Sequence, residues 1–200
     1  DAKHTTYGTT PLWWACYKGL ETVALRLIDT GVVDVDAKDS TTGTTPLYIA
    51  CAKGLETVAM RLLDTGDVDV DAKETATGTT PLYMACHKGL ETVAMRLLDT
   101  GDVDVNAKEN ATGTTPLYMA CHKGLETVAM RLLDTGDVDV DVKQTRDGTT
   151  PLWQACYSGL VTVAMRLLDI GVADVDAKST ASSTTPLWHA CCKGLETVAL

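Results

Sequence analysis

Two Cys-His dipeptides, Cys86-His87 and Cys121-His122, and the alternating carboxylates Asp67, Asp69 and Asp71 are the residue combinations best suited to chemistry. A thiol beside an imidazole suggests a nucleophile with its base, or half of a zinc site, and D-x-D-x-D is the opening of a calcium loop. The spacing argues against each. Neighbours in a helix point about 100° apart and do not face one another, and the two dipeptides stand 35 residues apart, too far to share one ion. A calcium loop next needs Gly at its sixth position and Glu at its twelfth, where this chain has Ala72 and Gly78. On an extended arm the alternate carboxylates share one face, an acidic ladder with nonspecific affinity for divalent ions. The sequence has no Gly-rich phosphate loop, HExxH, nucleophile elbow or paired-carboxylate site, so the expectation is a non-enzyme without metal or cofactor.

The elements that hold these residues recur. Pro11, Pro46, Pro81, Pro116, Pro151 and Pro186 keep an unbroken 35-residue spacing, the signature of a stacked repeat. In the unit 69–103, Val68, Val70 and Ala72 alternate with Asp67, Asp69 and Asp71, which predicts a short extended arm. The polar stretch 73–78 ends in Gly, as a hairpin tip does. Thr80-Pro81 starts a helix, with Thr as N-cap and Pro at the first helical position, and Gly89 stops it in a left-handed C-cap. A second helix follows with Leu90, Val93, Ala94, Leu97 and Leu98 on one face. One such unit is too small to fold alone, so stability must come from neighbours in a near one-dimensional stack.

Thr10-Pro11-Leu12-Trp13-Trp14-Ala15-Cys16 and its five copies resemble the Thr-Pro-Leu-His-x-Ala-Ala signature of ankyrin repeats. Gly19, Gly54, Gly89, Gly124, Gly159 and Gly194 match that family's Gly between helices, pairs such as Leu97-Leu98 its Leu-Leu, and Asp104-Val105-Asn106-Ala107 its finger arm. The resemblance spans the whole chain. It implies an all-α repeat solenoid of helix–turn–helix units with β-hairpin fingers, in one array with units near 1–33, 34–68, 69–103, 104–138, 139–173 and 174–200, part of a longer one. The family unit is about 33 residues; the two additional residues fall in the hairpin tip and in the turn after helix two. The family's His is replaced by Trp13, Tyr48, Tyr83, Tyr118, Trp153 and Trp188, an aromatic column.

A net charge of −10 opposes binding to nucleic acid, and no apolar run approaches the roughly 18 residues of a membrane span. Six of the seven cysteines form one column, Cys16 to Cys191. Packed helices lie about 8–10 Å apart, too far for disulfides, so these thiols are expected to be buried and reduced. That favours an intracellular, cytoplasmic setting, or an extracellular one if a signal peptide precedes the chain. Asn110-Ala111-Thr112 is a glycosylation sequon on a tip.

Function is expected where the columns vary. Trp14, Ile49, Met84, Met119, Gln154 and His189 form one such column; Tyr17, Ala52, His87, His122, Tyr157 and Cys192 form another, three residues on along helix one. Together they make one stripe, which the resemblance places on the concave, partner-contacting surface. Its residue types suit an interface core, and neutral drift on a permissive surface is the competing reading. The fifth unit departs most, with Gln154, Ser158, Val161 and Arg146, the one arginine in a tip. The expected function is a scaffold that binds a protein or peptide, basic by the sign of the field, through the stripe and the acidic fingers. The alternative is a structural solenoid stacking end to end into filaments, with Leu187, Leu195 and Val198 on or near the exposed stacking face.

Overall fold

Each Thr-Pro starts a helix, as its chemistry requires. In the computed structural model, which describes His4 and residues 6–199, Thr10 Oγ1 accepts the main-chain N–H of Trp13 at 3.3 Å, and Thr45 and Thr150 do the same for Tyr48 and Trp153 at 3.2 Å. Pro occupies the first helical position of each, where its missing N–H costs nothing. Gly19 ends the first helix at φ +70°, its N–H closing onto Ala15 and Cys16 carbonyls.

The chain forms two compact units, residues 1–104 and 105–200. The first contains α1 (Pro11–Lys18), α2 (Glu21–Asp29), α3 (Pro46–Lys53), α4 (Glu56–Leu63), α5 (Pro81–Lys88) and α6 (Glu91–Thr100). In it α1, α3 and α5 pack in one layer, α2, α4 and α6 in another. The second unit contains α7 (Pro116–Lys123), α8 (Glu126–Asp134), α9 (Pro151–Ser158), α10 (Val161–Ile170), α11 (Pro186–Cys192) and α12 (Glu196–Ala199), with α7, α9 and α11 in one layer and α8, α10 and α12 in the other. The core between layers is built from repeated positions: Leu12, Leu47, Leu82, Leu117 and Leu152 from helix one, Val58, Val93, Val128, Leu62, Leu97 and Leu132 from helix two. The start of the first arm and the close of the sixth unit at Leu200 lie outside the described residues.

The β-hairpin fingers are reduced to closed turns, and there is no strand among the described residues. Asp39 N–H donates to Thr44 O at 2.9 Å and Gly43 N–H to Asp39 O at 2.8 Å, which shuts the tip. Within each unit one further main-chain bond joins a tip to the preceding one, Ser40 N–H to Tyr7 O and Thr75 N–H to Thr42 O in the first unit, Thr145 N–H to Thr112 O and Thr180 N–H to Asp147 O in the second, all at 2.8 Å. A single rung per repeat is no ladder. The arm is likewise turned rather than extended, because Asp69 Oδ1 accepts the N–H of Asp71 at 3.0 Å in an Asx turn.

Five cysteines, Cys16, Cys51, Cys86, Cys121 and Cys156, are free and buried; Cys191 and Cys192 are free and exposed. Burial pushes the thiols of Cys16, Cys51 and Cys86 up to about 12 and that of Cys156 to about 11. They are packing groups rather than nucleophiles.

Candidate partner-binding surface

The aromatic column on helix one is tied to the next repeat by its polar tips. Trp13 Nε1 donates to Thr44 Oγ1 at 3.2 Å, Tyr48 OH pairs with Thr79 Oγ1 at 2.8 Å, Tyr118 OH with Thr149 Oγ1 at 2.9 Å, and Trp153 Nε1 donates to Thr184 O at 3.2 Å. The bonds continue into the finger: Thr79 Oγ1 pairs with Thr77 Oγ1 at 2.7 Å, and Thr77 Oγ1 donates to Glu74 Oε2 at 2.7 Å. Partial burial works against ionisation of Glu74 and Glu109, yet hydrogen bonds from the Thr77 and Thr112 hydroxyls and neighbouring N–H groups hold both carboxyls below their ordinary value. Trp13, Tyr48, Tyr118 and Trp153 thus lock helix one to the finger tip of the next repeat.

One turn along the helix stands a second ring. Trp13 stacks on Tyr17 at 5.1 Å between ring centres, Tyr83 on His87 and Tyr118 on His122 at 6.4 Å, and Trp153 on Tyr157 at 5.2 Å. This column keeps a solvent face. Tyr17 is 40% and Tyr157 50% exposed, His122 is exposed and His87 half-buried.

The other half of the expected stripe is mostly packed. Trp14 is 40% exposed and Met84 half-buried, but Ile49, Met119, Gln154 and His189 are buried. The reason is visible in the second unit, where this position turns toward helix one of the preceding repeat. Gln154 Nε2 donates to Tyr118 OH at 2.7 Å, and its Oε1 lies 3.2 Å from His122 Nδ1. His189 meets Trp153 edge-on at 4.4 Å and Tyr157 at 5.2 Å. Burial, and after it the nearby Lys193 charge, hold the His189 imidazole below its usual value. Arg146 and Asn110 are exposed on their tips. On the sixth repeat Leu187 is 49% exposed, Leu195 half-buried and Val198 buried.

The acidic arms are not a free ladder. Asp36 Oδ1 accepts the N–H of Asp69 at 2.9 Å while Lys38 Nζ donates to Asp69 Oδ2 at 2.6 Å. Asp71 and Lys73 hold Asp104 in the same way, and in the second unit Asn106 and Lys108 hold Asp139, and Asp141 and Lys143 hold Asp174. The Lys143 hydrogen bond keeps the Asp174 carboxyl below its usual range. Helix two adds Arg61 to Asp29, Arg96 to Asp64 and Arg166 to Asp134. Among the described residues no three His, Cys, Asp or Glu side chains gather as a metal ion needs, and no helix is long and apolar enough to cross a membrane. The sequence signal for this zipper is the Lys that follows the Asp36, Asp71, Asn106 and Asp141 positions two residues later.

No curated protein matches the chain. The family model for ankyrin repeats in three copies matches residues 1–74, 59–144 and 129–200, which together cover its whole length. With the Thr-Pro helix starts, the paired helices and the 35-residue period all in register, the chain belongs to the ankyrin-repeat family.

Proposed function

We propose that the chain is a non-catalytic scaffold that binds a protein or peptide partner across the exposed ring column of helix one, Tyr17, His87, His122 and Tyr157, with Trp14, Met84 and the finger tips beside it. Ankyrin repeats are in general protein–protein interaction modules. The carrying observation is Tyr157. Its helix α9 is packed on both sides, by α7 and α11, and Trp153 stacks beneath its ring, yet half of the residue stays in solvent. A rigid, prestacked aromatic is suited to an interface core, because little rotamer entropy is left to lose on binding. Gln154 meets the His122 ring and His189 the Tyr157 ring from buried positions of the next repeat. Each unit carries its own part of the surface, Tyr17 and His87 in the first and His122 and Tyr157 in the second. The buried thiols favour a reducing compartment. Peptides selected against the chain from a random display library test it: Tyr157→Ala lowers their affinity, whereas Thr162→Ala on helix two does not.

Self-stacking is the second reading. Leu187 is half exposed where Leu12 and its other counterparts are buried, and with Val175, Leu168, Pro186 and Val198 it lines an open apolar pocket of about 300 Å³. Light scattering that rises with protein concentration supports filaments; a monomer at high concentration removes them.

A further inference from the structure

Among the described residues, two lysines at the end of helix one are placed differently from the cations of the arms and of helix two. Lys38, Lys73, Lys108 and Lys143 are held by arm carboxylates, and Arg61, Arg96 and Arg166 by the aspartates of helix two. Lys53 and Lys193 form no ion pair among the described residues. Each lies instead over the exposed tyrosine of the preceding repeat: Lys53 Nζ is 4.6 Å from the centre of the Tyr17 ring, and Lys193 Nζ 5.9 Å from that of Tyr157. The arrangement is similar at both places, with Lys18 Nζ of the same helix also 5.6 Å from the Tyr17 ring. A Trp stacks under a Tyr four residues on, with ring planes within 11° and 14° of parallel, and a Lys of the next repeat covers the Tyr. It occurs once in each compact unit. Where helix one carries Tyr and His in place of Trp and Tyr, the rings stand farther apart, at 6.4 Å.

The charge pattern sharpens the point at Tyr157. Elsewhere helix two opens with a glutamate, Glu21, Glu56, Glu91, Glu126 and Glu196, but the fifth repeat opens with Val161, and Ser158 replaces the lysine of its own helix one. The end of helix one and the start of helix two in the fifth repeat therefore carry no charge of their own, and Lys193 of the next repeat covers the ring. Arg146 adds a second exposed cation on the finger of the same repeat. An ammonium resting on a ring face is positioned but keeps N–H donors that a ring satisfies poorly.

We propose that the Tyr17–Lys53 and Tyr157–Lys193 pairs are binding elements for an acidic segment of the partner protein. A carboxylate of that segment pairs with the lysine, and an adjacent aliphatic or aromatic side chain packs on the tyrosine. The proposal rests on helix one as the binding face. It opposes the sign that the net charge of −10 alone suggests, because Asp69, Asp104, Asp139 and Asp174 are held by the arm lysines and Asp29, Asp64 and Asp134 by the arginines of helix two.

The test uses the whole chain and a fluorescein-labelled nonapeptide alternating glutamate with leucine, beside its glutamine and lysine counterparts. Anisotropy is read near physiological salt, where the Debye length is about 8 Å and the distant net charge is screened. The glutamate peptide is expected to bind at least about tenfold tighter than the other two. The double variant K53E/K193E loses that preference while still melting as a folded protein in one cooperative transition, both lysines being exposed. Equal binding of the three peptides, weakened by Tyr157→Ala, overturns the acidic partner and leaves the helix-one face standing. Tighter binding of the lysine peptide overturns the proposal. Binding indifferent to both Tyr157→Ala and K53E/K193E overturns the proposal and the face together.

Discussion

The carboxylate of Asp36 accepts the main-chain N–H of Asp69, one repeat further on, at 2.9 Å. The same position is Asn106 in the fourth repeat, and there the amide does two things: Oδ1 accepts the N–H of Asp139 at 2.7 Å and Nδ2 donates to Asp137 O at 2.8 Å. An aspartate can only accept. Burial, with the neighbouring Asp69 and Asp104 charges, raises the carboxyls of Asp36 and Asp71 above their usual range.

Replacing Asp71 with Asn is therefore predicted to stabilise the chain by about 1 kcal/mol at neutral pH, the net worth of one more hydrogen bond. A folded pKa above the unfolded one means that the ionised form weakens the fold at neutral pH, and that protonation relieves the cost. The advantage of Asp71→Asn should shrink as pH falls through that raised pKa. Urea melts of both proteins at about pH 7 and about pH 4 check it; a gap that widens in acid contradicts the account.

Ser183 has φ +58°, in a column where Gly8, Gly43, Gly78, Gly113 and Gly148 have φ between 67° and 71°. The left-handed region costs an L-residue about 1–2 kcal/mol, so Ser183→Gly is predicted to raise stability by about 1 kcal/mol. The reverse change is worse elsewhere. A Cβ on Gly43 would meet Lys73 O at 3.0 Å, and Gly43→Ala should cost more than about 2 kcal/mol, combining strain with collision. Thermal melts of the two variants give the comparison directly.

Thiol chemistry should separate the cysteines cleanly. Five are buried, and Cys191 and Cys192 are exposed. A water-soluble thiol reagent at mildly alkaline pH is expected to modify only those two in the folded chain, and all seven cysteines once it is unfolded. Rapid reaction of a third thiol in the folded state would show that the column opens.

The helices could be read from the sequence because their signals are local: Thr-Pro at each start, Gly at each end and one apolar face on helix two. What could not be read lies between repeats. Gln154 looked like a surface residue within its own helix, but its amide reaches Tyr118 in the preceding repeat. The arm aspartates alternate as a strand would, yet Asx turns and the N–H of the next arm redirect them. The Asx turn is local, but the Gln154 bond and the bond from the next arm need two repeats stacked at their true offset. The column of rings at Tyr17 and Tyr157 was legible as a variable position, while the lysines that cover them, Lys53 and Lys193, belong to a column too uniform to draw notice.

The central claim is that helix one presents a prestacked aromatic surface to a partner. The most direct measurement is the affinity of a library-selected peptide for the wild type, Tyr157→Ala and Thr162→Ala. The account predicts a loss of at least about tenfold for Tyr157→Ala, as for an interface anchor, and no change for Thr162→Ala. Undiminished binding by Tyr157→Ala, or an equal loss in both variants, would contradict it.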